Sequence, residues 1–450
     1  IRKDYTEAVS KYEKAIRRFD YSDNLYPFYK AGIAYGLQGR KEKKIDMLSN
    51  VLDADPSAAY YSETMYELGR AYVSAGDDAS AQSTFLKLRS NTDDKSIAAR
   101  SLIELGMIAR NNSESQKALG YYKQVISEMP GTEYARDALS AIESIYQSEG
   151  RMDEYFDYAD KVGAIKGKTD SEKEQMYFNA AEQLYLSENW SKALPSLQNY
   201  LQRYPEGRSS AKAAFYIAEC NRNLGNREQA CEWYRKAIAE GGSFVETALL
   251  NYSDLSYGME RYKDAFNGYS DLGDVASSDS GRHAARLGMM RAAYKDGDFP
   301  AAISNADKAT SDAGCTAAEK READYVKAKS YLSMNDRDEA FALFGGLSAY
   351  PSTPEGAEAT YMIIQDAYDK GEYGAVEKKV FAFSEKAGGQ DYWLAKAFIT
   401  LGDSYAEQEN YKQAKATFES ILNGYSPAEG TADDILDNVR MRLAKLTNLM

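Results

Sequence analysis

The sequence predicts an all-α fold, a right-handed α-α superhelix of about twelve helical hairpins ending in a capping helix. Three observations carry this. A phrase of the form Leu-Gly-x-x-Tyr, a short turn, an aromatic residue and Ala-x-x-x-Phe recurs along the 450 residues. Its copies are almost evenly spaced. Only 9 prolines interrupt the chain, where one inside a helix costs about 3 kcal/mol.

Along the chain, Leu68-Gly69 and Tyr72 lead to Ala81 and Phe85, and Leu105-Gly106 leads to Ala118, Tyr122 and a stop at Pro130. Ala180-Ala181 leads through Trp190 to Ala193 and Pro205, and Ile217-Ala218 to Ala230, Tyr234 and Ala237. Ala328 and Tyr331 lead to Ala340, Phe344 and Pro351. The clearest unit is the last, Ile399 to Tyr405 followed by Tyr411, Ala414, Phe418 and Leu422. Leu401, Gly402 and Tyr405 share one helical face, and Ala414 and Phe418 share a face of the next helix. Their short side chains let two helices close to about 8–10 Å.

The first small residue of each second helix falls at Ala8, Lys44, Ala81, Ala118, Tyr155, Ala193, Ala230, Ala265, Ala302, Ala340, Val376 and Ala414. Neighbouring positions differ by 36, 37, 37, 37, 38, 37, 35, 37, 38, 36 and 38 residues. A period of that length marks stacked units rather than separate globular domains. Lys44, Tyr155 and Val376 stand where a small residue is expected, so repeats two, five and eleven should pack less regularly. The stretch Gly163 to Asp170 reads as a hinge, dividing the array into residues 1–162 and 163–433. Gly273 to Gly281 and Ser311 to Thr316 read as long connections. Asp434 to Leu449 is amphipathic and matches no hairpin, so 434–450 reads as the cap. Ile1 to Tyr5 enters a helical pattern at once, which reads as a chain starting inside a repeat of a larger protein.

Composition excludes several functions. The net charge of −14, from 55 Lys+Arg against 69 Asp+Glu, disfavours nucleic acid. No run approaches the ~18 apolar residues of a membrane span, so no membrane insertion is expected of this stretch. No signal peptide is visible. The three cysteines lack a CxxC pair, which excludes a disulfide framework and a close-spaced zinc site. Cys220 and Cys231 fall on the two helices of one hairpin and read as small buried hydrophobes. With His283 the single histidine, neither a His-containing triad nor a two-His metal motif can be assembled. No phosphate-binding glycine loop follows a strand, and no carboxylate pair stands out for acid–base work. A non-catalytic protein with no cofactor and no metal site is expected.

The Leu-Gly-x-x-Tyr and Ala-x-x-x-Phe units resemble the tetratricopeptide repeat (TPR) family, a helix–turn–helix of about 34 residues. The period here is two to four residues longer. Tyr200 to Gly207 followed by Ala213 to Ala218 is a tyrosine–proline turn entering a first helix, and Tyr350-Pro351 and Met129-Pro130 echo it. This resembles the TPR variety in bacterial cell-envelope proteins, including outer-membrane assembly lipoproteins and periplasmic Tol–Pal-associated proteins. The resemblance implies a protein-interaction scaffold, periplasmic or outer-membrane-associated. It also implies a concave groove lined by the first helices. With the Gly or Ala before the turn called position 8, position 5 supplies Tyr29, Tyr66, Ile103, Ser140, Phe178, Phe215, Leu250, Leu287, Tyr325, Tyr361 and Ile399. Position 12 supplies Tyr185, Tyr257, Tyr294 and Tyr368, and Arg70, Arg110, Glu182, Arg222, Asp254, Arg291 and Lys329 lie nearby. Tyrosine suits a recognition surface through its large apolar area and polar tip, and suits interhelix packing equally. No repeat pairs a basic position 5 with Asn at position 9, so a clamp for a chaperone's C-terminal carboxylate is not expected. The alternatives to a scaffold for a peptide or partner protein are an array that stacks on its own copies and a regulatory segment of a larger enzyme.

Overall fold

A computed structural model describes residues 5–19, 23–166, 168–427 and 433–447. Among them the chain is helical throughout, with one isolated bridge between Asn24 and Ala59. It divides into two compact units, Ile1–Gly207 and Arg208–Met450. The first holds α1 (Tyr5–Arg18), α2 (Tyr26–Leu37), α3 (Lys41–Leu48), α4 (Tyr61–Ala75), α5 (Asp78–Asn91), α6 (Lys95–Asn111), α7 (Ser115–Glu128), α8 (Glu133–Glu149), α9 (Met152–Lys161), α10 (Asp170–Leu186) and α11 (Trp190–Arg203). The second holds α12 (Ser210–Asn223), α13 (Arg227–Glu240), α14 (Val245–Gly258), α15 (Tyr262–Val275), α16 (Asp279–Asp296), α17 (Phe299–Thr310), α18 (Ala317–Ser333), α19 (Arg337–Leu347), α20 (Pro354–Asp369), α21 (Tyr373–Ser384), α22 (Asp391–Glu407), α23 (Tyr411–Gly424) and α24 (Ile435–Thr447). The hinge expected at Gly163 falls inside the first unit.

Each even-numbered helix from α2 to α22 pairs with the helix after it, giving eleven complete hairpins, with α1 as the second half of another. One backbone feature explains the regularity. The turn within every hairpin passes through a left-handed residue: Gly39, Gly76, Ser113, Gly150, Glu188, Gly225, Glu260, Gly297, Asn335, Gly371 or Glu409. That conformation ends a helix by returning its last free carbonyls to backbone N–H groups. Gly297 shows the pattern: its N–H bonds Tyr294 O at 3.3 Å, and Asp298 N bonds Ala293 O at 2.9 Å. The anchors read from the sequence follow these residues at a constant interval of five.

The small residues of the phrase are receptacles for aromatic rings. A Cβ placed on Gly69 would lie 2.6 Å from the ring of Phe85, and one on Gly106 would lie 2.6 Å from Tyr122. Gly402 receives Phe418 in the same way. In each pair the ring comes from the second helix, so the hairpin closes ring-on-backbone. Phe85, Tyr122 and Phe418 are buried, and each contributes about 1.5–3 kcal/mol by leaving water.

Next-but-one packing is concentrated among the even-numbered helices: α2, α4, α6, α8 and α10 in the first unit, and α14 to α24 in the second. These helices form one layer of each unit. At its C-terminal end α24 buries Ile435, Val439 and Leu446 in a core shared with Phe418 and Ile421. Arg442 binds both carboxylate oxygens of Asp403 at 2.8 and 2.9 Å. Positions 448–450 of the expected cap, like Ile1 to Asp4 of the expected mid-repeat start, lie outside the described residues.

All three expected irregularities appear. Lys44 sends its ammonium to Glu67 at 2.8 Å, and α3 tightens after eight residues into a 3₁₀ turn, Ser49–Val51. Tyr155 is buried in a ten-residue α9, where Phe156 stacks on Tyr177 of α10 at 4.5 Å. Val376 is buried with Val380 and Phe383 in the twelve-residue α21, and there α20 leans on α22 more closely than any other next-but-one pair of helices does. The long connection expected at Gly273 to Gly281 is only residues 276–278, since Ser278 caps α16 by accepting the N–H of Gly281 at 3.0 Å. Ser311 to Thr316 does form a connector.

Candidate partner-binding surface

The groove expected from the sequence maps onto the layer of even-numbered helices, where its residues have mixed fates. Tyr66, Phe178 and Phe215 are buried. Tyr66 packs on Phe85, Phe178 on Tyr200, and Phe215 stacks on Phe244 at 4.8 Å. Closed in this way, the three rings pack between helices and offer a partner little surface. Tyr325 and Tyr361 are half-buried. The hydroxyl of Tyr325 donates to Glu358 of α20 at 2.7 Å, and Tyr361 lies 5.5 Å from Trp393.

The position-12 tyrosines share one geometry. Tyr185 packs on Trp190, Tyr257 on Tyr262, Tyr294 on Phe299 and Tyr368 on Tyr373, with centroids 5.3 to 6.3 Å apart. Each pair spans the hairpin turn, joining the last turn of one helix to the first residue of the next. All four tyrosines are half-buried. Their rings clasp the turn, and about 0.5–1.5 kcal/mol per pair comes from the aromatic geometry.

The charged candidates bridge neighbours. Arg70 lies 3.5 Å from Glu67 and 3.6 Å from Glu104, and Arg222 lies 2.8 Å from Glu219. Arg291 of α16 grips Glu322 of α18 at 2.6 and 2.7 Å. Glu182 is half-buried on α10. Tyrosine hydroxyls do similar work. Tyr66 donates to Glu104 at 3.0 Å, Tyr200 to Glu174 at 2.9 Å and Tyr269 to Asp254 at 2.5 Å, while Tyr234 donates to the buried Glu219. Glu219 also accepts from Asn251 at 2.8 Å. A carboxylate can stay buried when several donors satisfy it. Burial, then the adjoining carboxylate, pushes Tyr269 and Tyr234 well above the ordinary tyrosine range. At these four places tyrosine has a structural role, a recurrent phenol-to-carboxylate bond between helices.

The groove positions converge once in the second unit. Leu250 and Asp254 of α14 and Leu287 and Arg291 of α16 surround a cavity of about 690 Å³. At Gly288 a side chain is excluded by the ring of Tyr269, which forms part of the lining. The rim is charged. Arg282 pairs with Asp279 at 2.6 Å, and Arg286 holds Asp312. His283 Nδ1 lies 2.8 Å from the second oxygen of Asp312. Glu319, held below the usual carboxylate range first by the Thr316 N–H, completes the rim. The sequence reading named Leu250, Asp254, Leu287 and Arg291 but missed the His283–Asp312–Glu319 group. One signal was available: Thr316-x-x-Glu319 is a capping box, and both of its reciprocal bonds form at the start of α18.

Residues 178–243 and 393–426 match tetratricopeptide-repeat family models. Among curated proteins none matches the sequence. Among solved structures, a tetratricopeptide repeat protein from Parabacteroides merdae is 14% identical with a TM-score of 0.35, the match covering 62% of this chain and 99% of that one. The C-terminal part of a TPR repeat-containing protein from Cytophaga hutchinsonii is 16% identical with a TM-score of 0.41, covering 58% and 98%. The two matched segments are similar to tetratricopeptide repeats, and they lie within a run of helix pairs joined by one kind of turn.

Proposed function

We propose that the chain is a non-catalytic interaction scaffold that takes a peptide or partner protein onto its even-numbered-helix layer, at the cavity between α14, α16 and α18. The observation that carries this reading is the convergence of Leu250, Asp254, Leu287 and Arg291 on that cavity. Its volume lies within the roughly 300–1,000 Å³ of sites that enclose ligand groups. Its lining mixes Leu250, Leu287 and Tyr269 with charged side chains, which suits a segment that places an apolar side chain there and hydrogen-bonds around it. We further propose a bacterial envelope location, periplasmic or outer-membrane-associated, supported by the tyrosine–proline turn at Tyr200 to Gly207.

A photo-cross-linking residue in place of Ala284, on the cavity wall, is expected to give a discrete heterologous product in cells. The same residue in place of Lys263, exposed on α15, is expected to give none. Products containing only further copies of this chain would overturn the reading in favour of a self-stacking array. An export or lipoprotein signal upstream in the gene is expected, and a parent protein lacking one would overturn the location.

A further inference from the structure

Three side chains beside the cavity come from two adjacent repeats. His283 lies in the second turn of α16, Cys315 in the connector after α17, and Glu319 in the first turn of α18. One nitrogen, sulfur or oxygen ligand atom of each lies within 4.8 Å of the other two, and all three residues are partly buried. Around a tetrahedral zinc ion, with bonds of about 2.0–2.3 Å, ligand atoms stand roughly 3.2–3.8 Å apart. His283 Nε2 and Glu319 Oε2 are already at 3.5 Å. Closing the third side takes about an ångström of movement by Cys315, whose backbone belongs to no helix.

The surroundings of His283 point the same way. Its Nε2 is buried and has no hydrogen-bond partner, although the ring is held in place. Asp312 takes Nδ1 at 2.8 Å, and Arg286 holds Asp312 from its other oxygen. A carboxylate on one ring nitrogen orients the ring and directs the other nitrogen at the site, as in carboxylate–histidine–metal arrangements. Nε2 is turned towards Glu319 Oε2 at 3.5 Å, a gap that a proton or a cation can bridge. Glu319 Oε2 also accepts the N–H and hydroxyl of Thr316 at 2.8 and 2.7 Å, which fixes the carboxylate in place beside His283.

We propose that His283 Nε2, Cys315 Sγ and a carboxylate oxygen of Glu319 bind a zinc-class divalent cation. The nitrogen, sulfur and oxygen set favours zinc over magnesium or calcium, which prefer oxygen alone. Thiolate and carboxylate together neutralise the ion, and the thiol releases one proton to solvent on binding. Two of the three ligands, His283 and Glu319, also line the cavity. The ion joins α16 to the α17–α18 connector, stapling neighbouring repeats. The site leaves no metal motif in the sequence because His283 lies on the preceding repeat, 32 residues before Cys315, and Cys315-x-x-x-Glu319 alone offers only two ligands. The site stands whether or not the cavity receives a partner.

The test titrates the full chain with Co²⁺ and then Zn²⁺ after chelator treatment under reducing conditions. One equivalent of Co²⁺ is expected, with a thiolate-to-cobalt charge-transfer band that Zn²⁺ abolishes. Cys315→Ser should remove the band, and Cys220→Ala and Cys231→Ala should keep it. His283→Gln should weaken binding at least tenfold. Asp312→Asn, at a positioning residue, should weaken it by about 10–100-fold. On the unaltered chain, Zn²⁺ should protect Cys315 from alkylation, a readout that needs no variant to fold. No thiolate band, a band that survives Cys315→Ser, or alkylation indifferent to Zn²⁺ would overturn the proposal.

Discussion

Exchanging the left-handed residue of one hairpin turn tests the backbone account of the fold. Glu260 has φ 61° and Gly297 has φ 84° in successive turns. A side chain in that region costs about 1–2 kcal/mol, because Cβ crowds the carbonyl. Glycine avoids this but gives back about 0.5–1 kcal/mol through the greater freedom of the unfolded chain. The difference is about 0.5–1 kcal/mol in favour of glycine. No atom lies within 4 Å of a Cβ built on Gly297, so Gly297→Ala introduces no clash and isolates the backbone cost. Glu260→Gly should therefore tighten the α14–α15 hairpin, and Gly297→Ala should loosen α16–α17. Repeat arrays do not unfold as one two-state body, so the measurement is amide hydrogen exchange, helix by helix. Protection should change about two- to fivefold, upward at Glu260→Gly and downward at Gly297→Ala. Glu260→Ala is the control. It removes the carboxylate but keeps Cβ, and should leave protection near that of the parent. If Ala and Gly at 260 behave alike, or either sign is reversed, the reasoning fails.

Two further outcomes follow from side chains. Gly106→Leu drives a branched side chain into the ring of Tyr122. It should cost about 1–3 kcal/mol or more, read as lost exchange protection in α6 and α7, and unchanged protection would refute the ring-on-backbone account. The second outcome is alkaline. Burial, then the bond to Glu377, pushes Tyr405 up to about 12, while an unfolded tyrosine ionises near pH ~10. The folded chain then holds a proton that the unfolded chain has lost. Tyr405's contribution is complete below pH ~10 and drains away as pH rises through about 12. Tyr155, Tyr234, Tyr269 and Tyr325 shift in the same direction. Tyrosinate absorbance and loss of helical ellipticity should rise together, and tyrosinate formed at full helicity would contradict this.

The architecture was legible in the sequence because its period is set by a short-range constraint. Ala81, Ala118 and Ala302 each lie five residues after a left-handed turn residue, so side-chain spacing reports backbone geometry directly. Partner surfaces were harder to read. Tyr66 and Tyr325 both hold position 5, yet one is buried and the other half-buried. What separates them is how closely the next hairpin packs, which depends on connector length and neighbouring side-chain volume. The turn-clasping pairs had a legible sign, an aromatic five residues after each tyrosine: Trp190, Tyr262, Phe299 and Tyr373. The group around His283 had none beyond the capping box, since its members meet only when two repeats stack.

The constant five-residue step from turn to anchor divides the chain into parts that tolerate a change of length and parts that do not. The variation between periods of 35 and 38 residues lies outside that step, in helix ends and in connectors such as Gly241–Phe244. One residue added beside Gly297 would rotate α17 by about 100° and carry Ala302 and Ala306 out of the seam they fill. One added between Gly241 and Gly242, both already at positive φ, changes only how one hairpin hands over to the next. Reporters, tags or additional binding loops therefore belong in the handovers between hairpins, where the array can lengthen without losing its phase.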